Sequence, residues 1–185
     1  MITLASSSPR RKALIQKIFK EIEVVHPNAD ESILEGESAR EMVLRLSRIK
    51  ADSIQRDNIV LAADTTVEIN GIILGKPENP DDAVRMLKML SGKWHTVYTG
   101  VCIKFKEEKI NFIESTDVKF YELDDETIKA YVKTGLPLDK AGAYGVQEEM
   151  GMILVERIEG DFFNVVGLPI SRIWWEMKKR RMFDI

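Results

Sequence analysis

LASSSPRRKAL, residues 4–14, sets the end of a strand directly against the start of a helix. Ile2 to Ala5 are apolar enough to be a short buried strand, and Ser6, Ser7 and Ser8 break that pattern. Pro9 has no N–H to lose in a first helical turn, and its fixed φ suits that position. Ser8 is therefore the expected N-cap, with Ala13, Leu14, Ile18 and Phe19 as the apolar face of the helix. A strand running straight into a helix aims unpaired N–H groups and the positive end of the dipole at one spot. Arg10 and Arg11 add two cations beside it. Two readings remain open for these residues: an anion site suited to phosphate, or an ordinary capped helix with two solvated arginines.

Working outward, the 185 residues are 44% hydrophobic and 31% charged, enough for a real core in one domain or two small lobes. The net charge of −3 supplies no bulk positive field, so no nucleic-acid partner is expected. Cys102 is the single cysteine and lies in an expected strand, where it reads as a small buried hydrophobe. Polar SSSPRRK after four strand residues is unlike a secretory signal, and no run reaches the length of a membrane span. These features lead us to expect a soluble, cytoplasmic protein.

Ile22 to Val25 read as a second strand, followed by the polar loop NADES (28–32) with Asp30 and Glu31. Ser38 to Glu41 form a capping box, opening a helix with Val43, Leu46, Ile49 and Lys50 on neighbouring turns. Lys50 there reads locally as a solvent-facing charge at the edge of the stripe. Ile59 to Ala63 are continuously apolar, as in a strand buried on both faces, and run into Asp64, Thr65 and Thr66. A carboxylate interrupting such a strand is either paired with a cation or placed for chemistry. Asn70–Gly71 signals a hairpin back through Ile72 to Leu74, closed by Gly75, Lys76 and Pro77. A helix begins at Asn79 or Pro80 and stops at Gly92, and Trp94 to Phe105 then alternate with period two. Residues 110–121 answer as an antiparallel partner, and Asp124 caps a helix ending at Gly135. DKAGAYGVQ (139–147) combines adjacent opposite charges, small residues and Gln147, which offers both a donor and an acceptor. Met152 to Ile158 are expected as a strand and GDFFNVVGLP (160–169) as a loop whose Phe162 and Phe163 are core. Pro169 opens the last helix. The alternation predicts a mixed α/β (α+β) architecture: an elongated mixed sheet with flanking helices.

Taken together and in order, LASSSPRRKAL, DES (30–32), AADTTV (62–67), LGKP (74–77), LSGKWHTVYTGV (90–101), DKAGAYGVQ and GDFFNVVGLP resemble the Maf family of nucleoside triphosphate pyrophosphatases over nearly the whole chain. The resemblance implies one Maf-like domain, 1–185, with the fold of inosine triphosphate pyrophosphatases and two lobes around a nucleotide cleft. It implies a hydrolase that cuts between the α and β phosphates and requires Mg²⁺ or Mn²⁺. Asp64 falls on the family's proton acceptor, and Ser6, Glu31, Lys50 and Lys76 on its polar active-site residues. Arg10, Thr65 and Gln147 fall on positions tied to base choice and match the branch acting on dTTP and UTP. The branch preferring 7-methyl-GTP has a bulky aromatic, Gln and Glu there. A homodimer is also implied. The alternatives are a 7-methyl-GTP or broader-specificity enzyme, or a non-catalytic nucleotide-binding regulator of septum formation; the latter would leave Asp64 and Glu31 without a task.

The chemistry of a triphosphate agrees with those positions. Its three to four negative charges call for cations and N–H donors, which Ser6, Arg10, Arg11, Lys50 and Lys76 offer. A hard divalent ion takes carboxylate oxygens, and Glu31 with Asp64 can supply them. Asp64 suits two tasks, orienting and deprotonating a water or binding the metal.

Overall fold

The computed structural model describes residues 1–183. Strand β1 (Ile2–Ala5) is buried at every position, as its composition predicts. It pairs in parallel with β2 (Ile22–Val25) on one side and β3 (Ile59–Ile69) on the other, Ala5 lying opposite Val25 and Ala62. Helix α1 (Pro9–Gln16) makes the crossover from β1 to β2, and α2 (Ala39–Asp52) the crossover from β2 to β3, as parallel strands require. Asn70 and Gly71 both take positive φ, 51° and 78°, and fold β3 back onto β4 (Ile72–Leu74) in antiparallel register.

Helix α3 (Pro80–Leu90) leads to the long strands β5 (Trp94–Phe105) and β6 (Glu108–Phe120). Their two-residue connection leaves room only for antiparallel pairing. Helix α4 (Asp125–Lys133), three 3₁₀ turns, β7 (Val155–Glu159), α5 (Phe162–Val166) and α6 (Ile170–Lys179) complete the chain. The seven strands form one mixed sheet in the order β2-β1-β3-β5-β6-β7, with β4 against β3. The expected α/β class with flanking helices is therefore observed. By contacts the chain divides into two compact units, residues 1–65, 99–114 and Gly167 onward in the first, and 66–98 and 115–166 in the second.

Within the first unit a cluster of Ala5, Ala51, Ile54, Val60, Ala62 and Cys102 packs α2 against the sheet. The small side chains let helix and strands approach closely. At Gly100 a β-carbon would fall 2.1 Å from the Val43 carbonyl oxygen, so α2 crosses β5 where only glycine fits. Cys102 is fully buried there and its thiol is pushed up to about 11 by that burial, in keeping with a packing role.

Four local expectations need correction. Helix α1 stops at Gln16 because the chain tightens: Lys17 N–H reaches the Leu14 carbonyl, and Ile18 and Phe19 N–H both reach Ile15. Its buried residues are Leu14 and Ile15, while Ile18 is exposed. Strand β7 starts at Val155, because Gly151–Ile153 form a 3₁₀ turn with Met152 and Ile153 exposed. GDFFNVVGLP contains helix α5, and Phe162 and Phe163 are exposed and stacked edge-on at 5.7 Å. Helix α5 buries Asn164 and Val166 instead, and the Asn164 side-chain amide donates to the Val97 carbonyl and the Thr116 hydroxyl, each at 3.0 Å. Finally, Lys50 is buried rather than solvent-facing.

Candidate active site

The first unit gathers most of the expected residues at the carboxyl ends of β1 and β3. Parallel strands with helices crossing over them leave ligand-binding loops at that end. Ser6 follows Ala5, and Asp64 lies two residues beyond its partner Ala62, so β1 and β3 carry a hydroxyl and a carboxylate to the same end of the sheet, one residue apart in register. Ser8 caps α1, its hydroxyl accepting from Arg11 N–H, and Ser8 N–H in turn donates to the Ser6 hydroxyl at 3.1 Å. The helix N-terminus opens onto buried Ser6 as expected.

Arg11 is tied into this corner. Its Nε donates to the Gly167 carbonyl at 2.8 Å, Nη2 to the Thr65 hydroxyl at 2.9 Å and Nη1 to Ser6 at 3.5 Å. These bonds use three of the five N–H donors of the guanidinium. Burial pulls its pKa down and the Arg10 charge adds to that, while Asp64 and Glu31 act in the opposite sense. Thr65 also shares a 2.8 Å hydrogen bond with the buried Thr99 hydroxyl.

Lys50, in the last turn of α2, organises the acidic side. Its ammonium donates to Asp64 Oδ1 and to Glu31 Oε2, both at 2.7 Å. The two carboxylates differ in setting: the Asp64 side chain is 12% exposed and that of Glu31 56%. A burial-costly carboxylate is thus matched by a buried cation, and the same cation holds a solvent-accessible acid next to it.

The second unit holds the remaining two expected residues. Lys76 is exposed in the turn after β4. That turn is joined to DKAGAYGVQ by a 3.0 Å bond from Gly142 N–H to the Gly75 carbonyl. A β-carbon on Gly142 would meet Val67 at 2.8 Å, so the small residue is needed for this approach. Gln147 is half-buried, and its side-chain carbonyl Oε1 is buried with no hydrogen-bond partner in the protein.

The profile of the Maf-like proteins matches residues 1–180. The chain belongs to the Maf family. A dTTP/UTP pyrophosphatase of Thermosipho africanus is 54% identical over 183 residues, covering 99% of this chain and 95% of that protein. One from Bacillus cereus is 47% identical over 187 residues, covering 100% and 96%, and one from Thermotoga maritima is 44% identical over 196, covering 99% and 95%. Among solved structures, a HAM1 protein from Coxiella burnetii superposes with a TM-score of 0.55 at 14% identity, over 96% of this chain and 98% of that one. That likeness concerns the fold alone.

Two elements of this Maf site escaped the residue-level reading. Thr99 carries no local signal beyond its place in the alternating stretch 94–105, and a backbone carbonyl such as that of Gly167 carries none at all. Both bind the Arg11–Thr65 pair across long sequence separations.

Proposed function

We propose that this Maf protein is a pyrophosphatase acting on dTTP and UTP, releasing the nucleoside monophosphate and pyrophosphate. The observation that carries the proposal is the Lys50 ammonium bonded to both Asp64 and Glu31 beside the Ser6–Arg11 corner. The names of relatives at 44–54% identity support the same activity. In this reading Asp64 accepts the proton of the attacking water, and Lys50 fixes the direction of its carboxylate. Ser6, the Arg11 guanidinium and the positive end of the α1 dipole receive phosphate oxygens. Glu31 and Lys76 complete the charged set, and Arg10, Thr65 and Gln147 choose the base. Phosphoryl chemistry needs little covalent help, so positioning and charge matching carry the rate.

Among the described residues no group of three or more His, Cys, Asp or Glu is arranged to hold a metal. Glu31 and Asp64 still fit Mg²⁺ or Mn²⁺, since Mg²⁺ is commonly held by one or two carboxylates together with substrate phosphates. Such an ion would neutralise phosphate charge. No helix among the described residues is long and apolar enough to cross a membrane. We place the enzyme in the cytoplasm, acting as a single Maf-like domain. The homodimer implied by the family is tested by sedimentation.

The deciding experiment measures pyrophosphate release from dTTP, UTP, dCTP, ATP and 7-methyl-GTP with Mg²⁺, Mn²⁺ or EDTA. Turnover of dTTP and UTP that EDTA abolishes is expected. Asp64→Asn should fold and lose about 10²–10⁴-fold in kcat, the usual reach of a positioned base. Full activity in that variant rejects the assignment, and preferred turnover of 7-methyl-GTP rejects the substrate class.

A further inference from the structure

Lys140 is a buried cation that the reaction as described does not use. It is 4% exposed, and its ammonium donates to Asp139 Oδ1 at 2.5 Å, to Glu148 Oε1 at 2.7 Å and to the Leu136 carbonyl. An ammonium has three N–H donors, and all three are spent inside the protein. Lys140 therefore has nothing left to offer a phosphate. What it does hold is the turn that carries Gln147.

Residues 145–148 close on themselves through a 3.1 Å bond from Glu148 N–H to the Gly145 carbonyl, with Val146 and Gln147 between. Both ends of this turn are anchored to Tyr131, a residue of α4. Gly145 N–H donates to the Tyr131 hydroxyl at 3.0 Å, and that hydroxyl donates to Glu148 Oε2 at 3.4 Å. The Glu148 carboxylate thus spans Lys140 and Tyr131, one oxygen on each. The Lys140 stem also lies on the α-carbon of Gly145, where a β-carbon would come within 2.7 Å of Cε. On the other side, a β-carbon on Gly151 would sit 1.9 Å from the Gly145 carbonyl oxygen. The turn is held by charge below and by close backbone packing above.

Within that turn, Gln147 Oε1 is desolvated and unmatched. A buried acceptor without a donor is costly, so the ligand that supplies the donor is favoured over one that presents another acceptor. Thymine and uracil carry N–H at ring position 3, whereas cytosine carries a lone pair there. This discrimination works only while Gln147 stays in place.

We infer that Lys140, through Glu148 and together with Tyr131, is a positioning residue for base selection, holding the 145–148 turn so that Gln147 presents its unmatched carbonyl. The inference rests on Gln147 reading the base, as proposed above.

The test uses the full chain as wild type, Lys140→Met, Tyr131→Phe, Gln147→Ala and both double variants with Gln147→Ala. Hydrogen exchange of the 145–148 amides comes first, because it needs no activity. Lys140→Met and Tyr131→Phe should speed exchange there by about tenfold or more, with β1 and β3 unchanged. Steady-state kinetics follow on dTTP and dCTP. Lys140→Met should lower the dTTP:dCTP ratio of kcat/KM by about fivefold or more, mainly by raising KM for dTTP, with kcat within about threefold of wild type. Tyr131→Phe should do the same to a smaller degree. Neither change should alter the ratio further once Gln147 is alanine.

Unchanged exchange at 145–148 overturns the inference, as does an unchanged ratio or an equal loss of kcat on both nucleotides. An added loss of ratio in the double variants does so too. Should Lys140→Met fail to fold, Tyr131→Phe decides by the same criteria. A wild type inert on every triphosphate rejects the pyrophosphatase reading and base selection with it, while the exchange result separately reports whether Lys140 holds the turn.

Discussion

Replacing Lys50 with methionine removes the ammonium that Asp64 and Glu31 both accept from, and the structure sets the size of the effect. At 2.7 Å and an effective dielectric near 20, the Lys50–Asp64 attraction is about 6 kcal/mol before desolvation is subtracted. The Glu31 pair has the same length, but its acid is 56% exposed and solvent screens it to less than about 1 kcal/mol. The loss is therefore dominated by Asp64, left 12% exposed without its cation. Removing one partner of a buried pair costs about 3–5 kcal/mol, and this partial exposure places the expected loss near 3 kcal/mol. For a chain of this size that corresponds to a Tm lowered by roughly 6–12 °C. Asp64→Asn should cost less, about 1–2 kcal/mol, since Lys50 keeps Glu31. In the double variant no buried charge is stranded, since Glu31 is left largely in solvent, so its loss should fall short of the sum by about 2 kcal/mol. Urea titrations of the four proteins at neutral pH measure the cycle. Additivity within about 0.5 kcal/mol would show that the ion pair does not hold the site together.

Three further outcomes follow from individual side chains. Burial pushes the His95 imidazole down from 6.5 to about 4, against the Tyr144 hydroxyl and the Phe120 ring. The unfolded chain then binds a proton that the folded one refuses, so up to about 3 kcal/mol present above pH 6.5 should be lost as pH falls toward 4. His95→Gln should flatten that part of the stability profile, and an identical slope in both proteins would contradict the assignment. Cys102, fully buried with its thiol raised to about 11, should react with a thiol reagent only at the rate of global unfolding. Fast labelling of the native protein would disprove its packing role. Asp64→Asn, beyond its effect on turnover, should leave the far-ultraviolet circular dichroism unchanged, because its neighbours in β3 keep their register with β1.

How the chain is cut into elements was legible because the signals are local. Ser8 with Pro9, Ser38 with Glu41, and Asp124 each satisfy orphan N–H groups of the turn that follows, and all three cap as read. Asn70–Gly71 fixes its hairpin through backbone conformations that few other residues accept. Local pattern and structure part where tertiary packing overrides composition. Ile18 and Phe19 look like a helix face, but the chain must leave α1 early to enter β2. Phe162 and Phe163 look like core, but the short α5 turns Asn164 and Val166 inward instead.

By itself the sequence determined the class of the fold and the direct strand-to-helix corner, and it marked Asp64 as a carboxylate that is either paired with a cation or placed for chemistry. Only the tertiary structure decided what its partner is. Lys50 lies 14 residues from Asp64 and 19 from Glu31, and Arg11 lies 54 from Thr65 and 156 from Gly167. Periodicity marks the face on which a side chain lies. It carries nothing about the charge arriving from another element, and an ammonium at the edge of an apolar stripe has the same local pattern whether it meets water or two carboxylates. That difference arises from desolvation, which exists only once the strands and α2 have closed around the site.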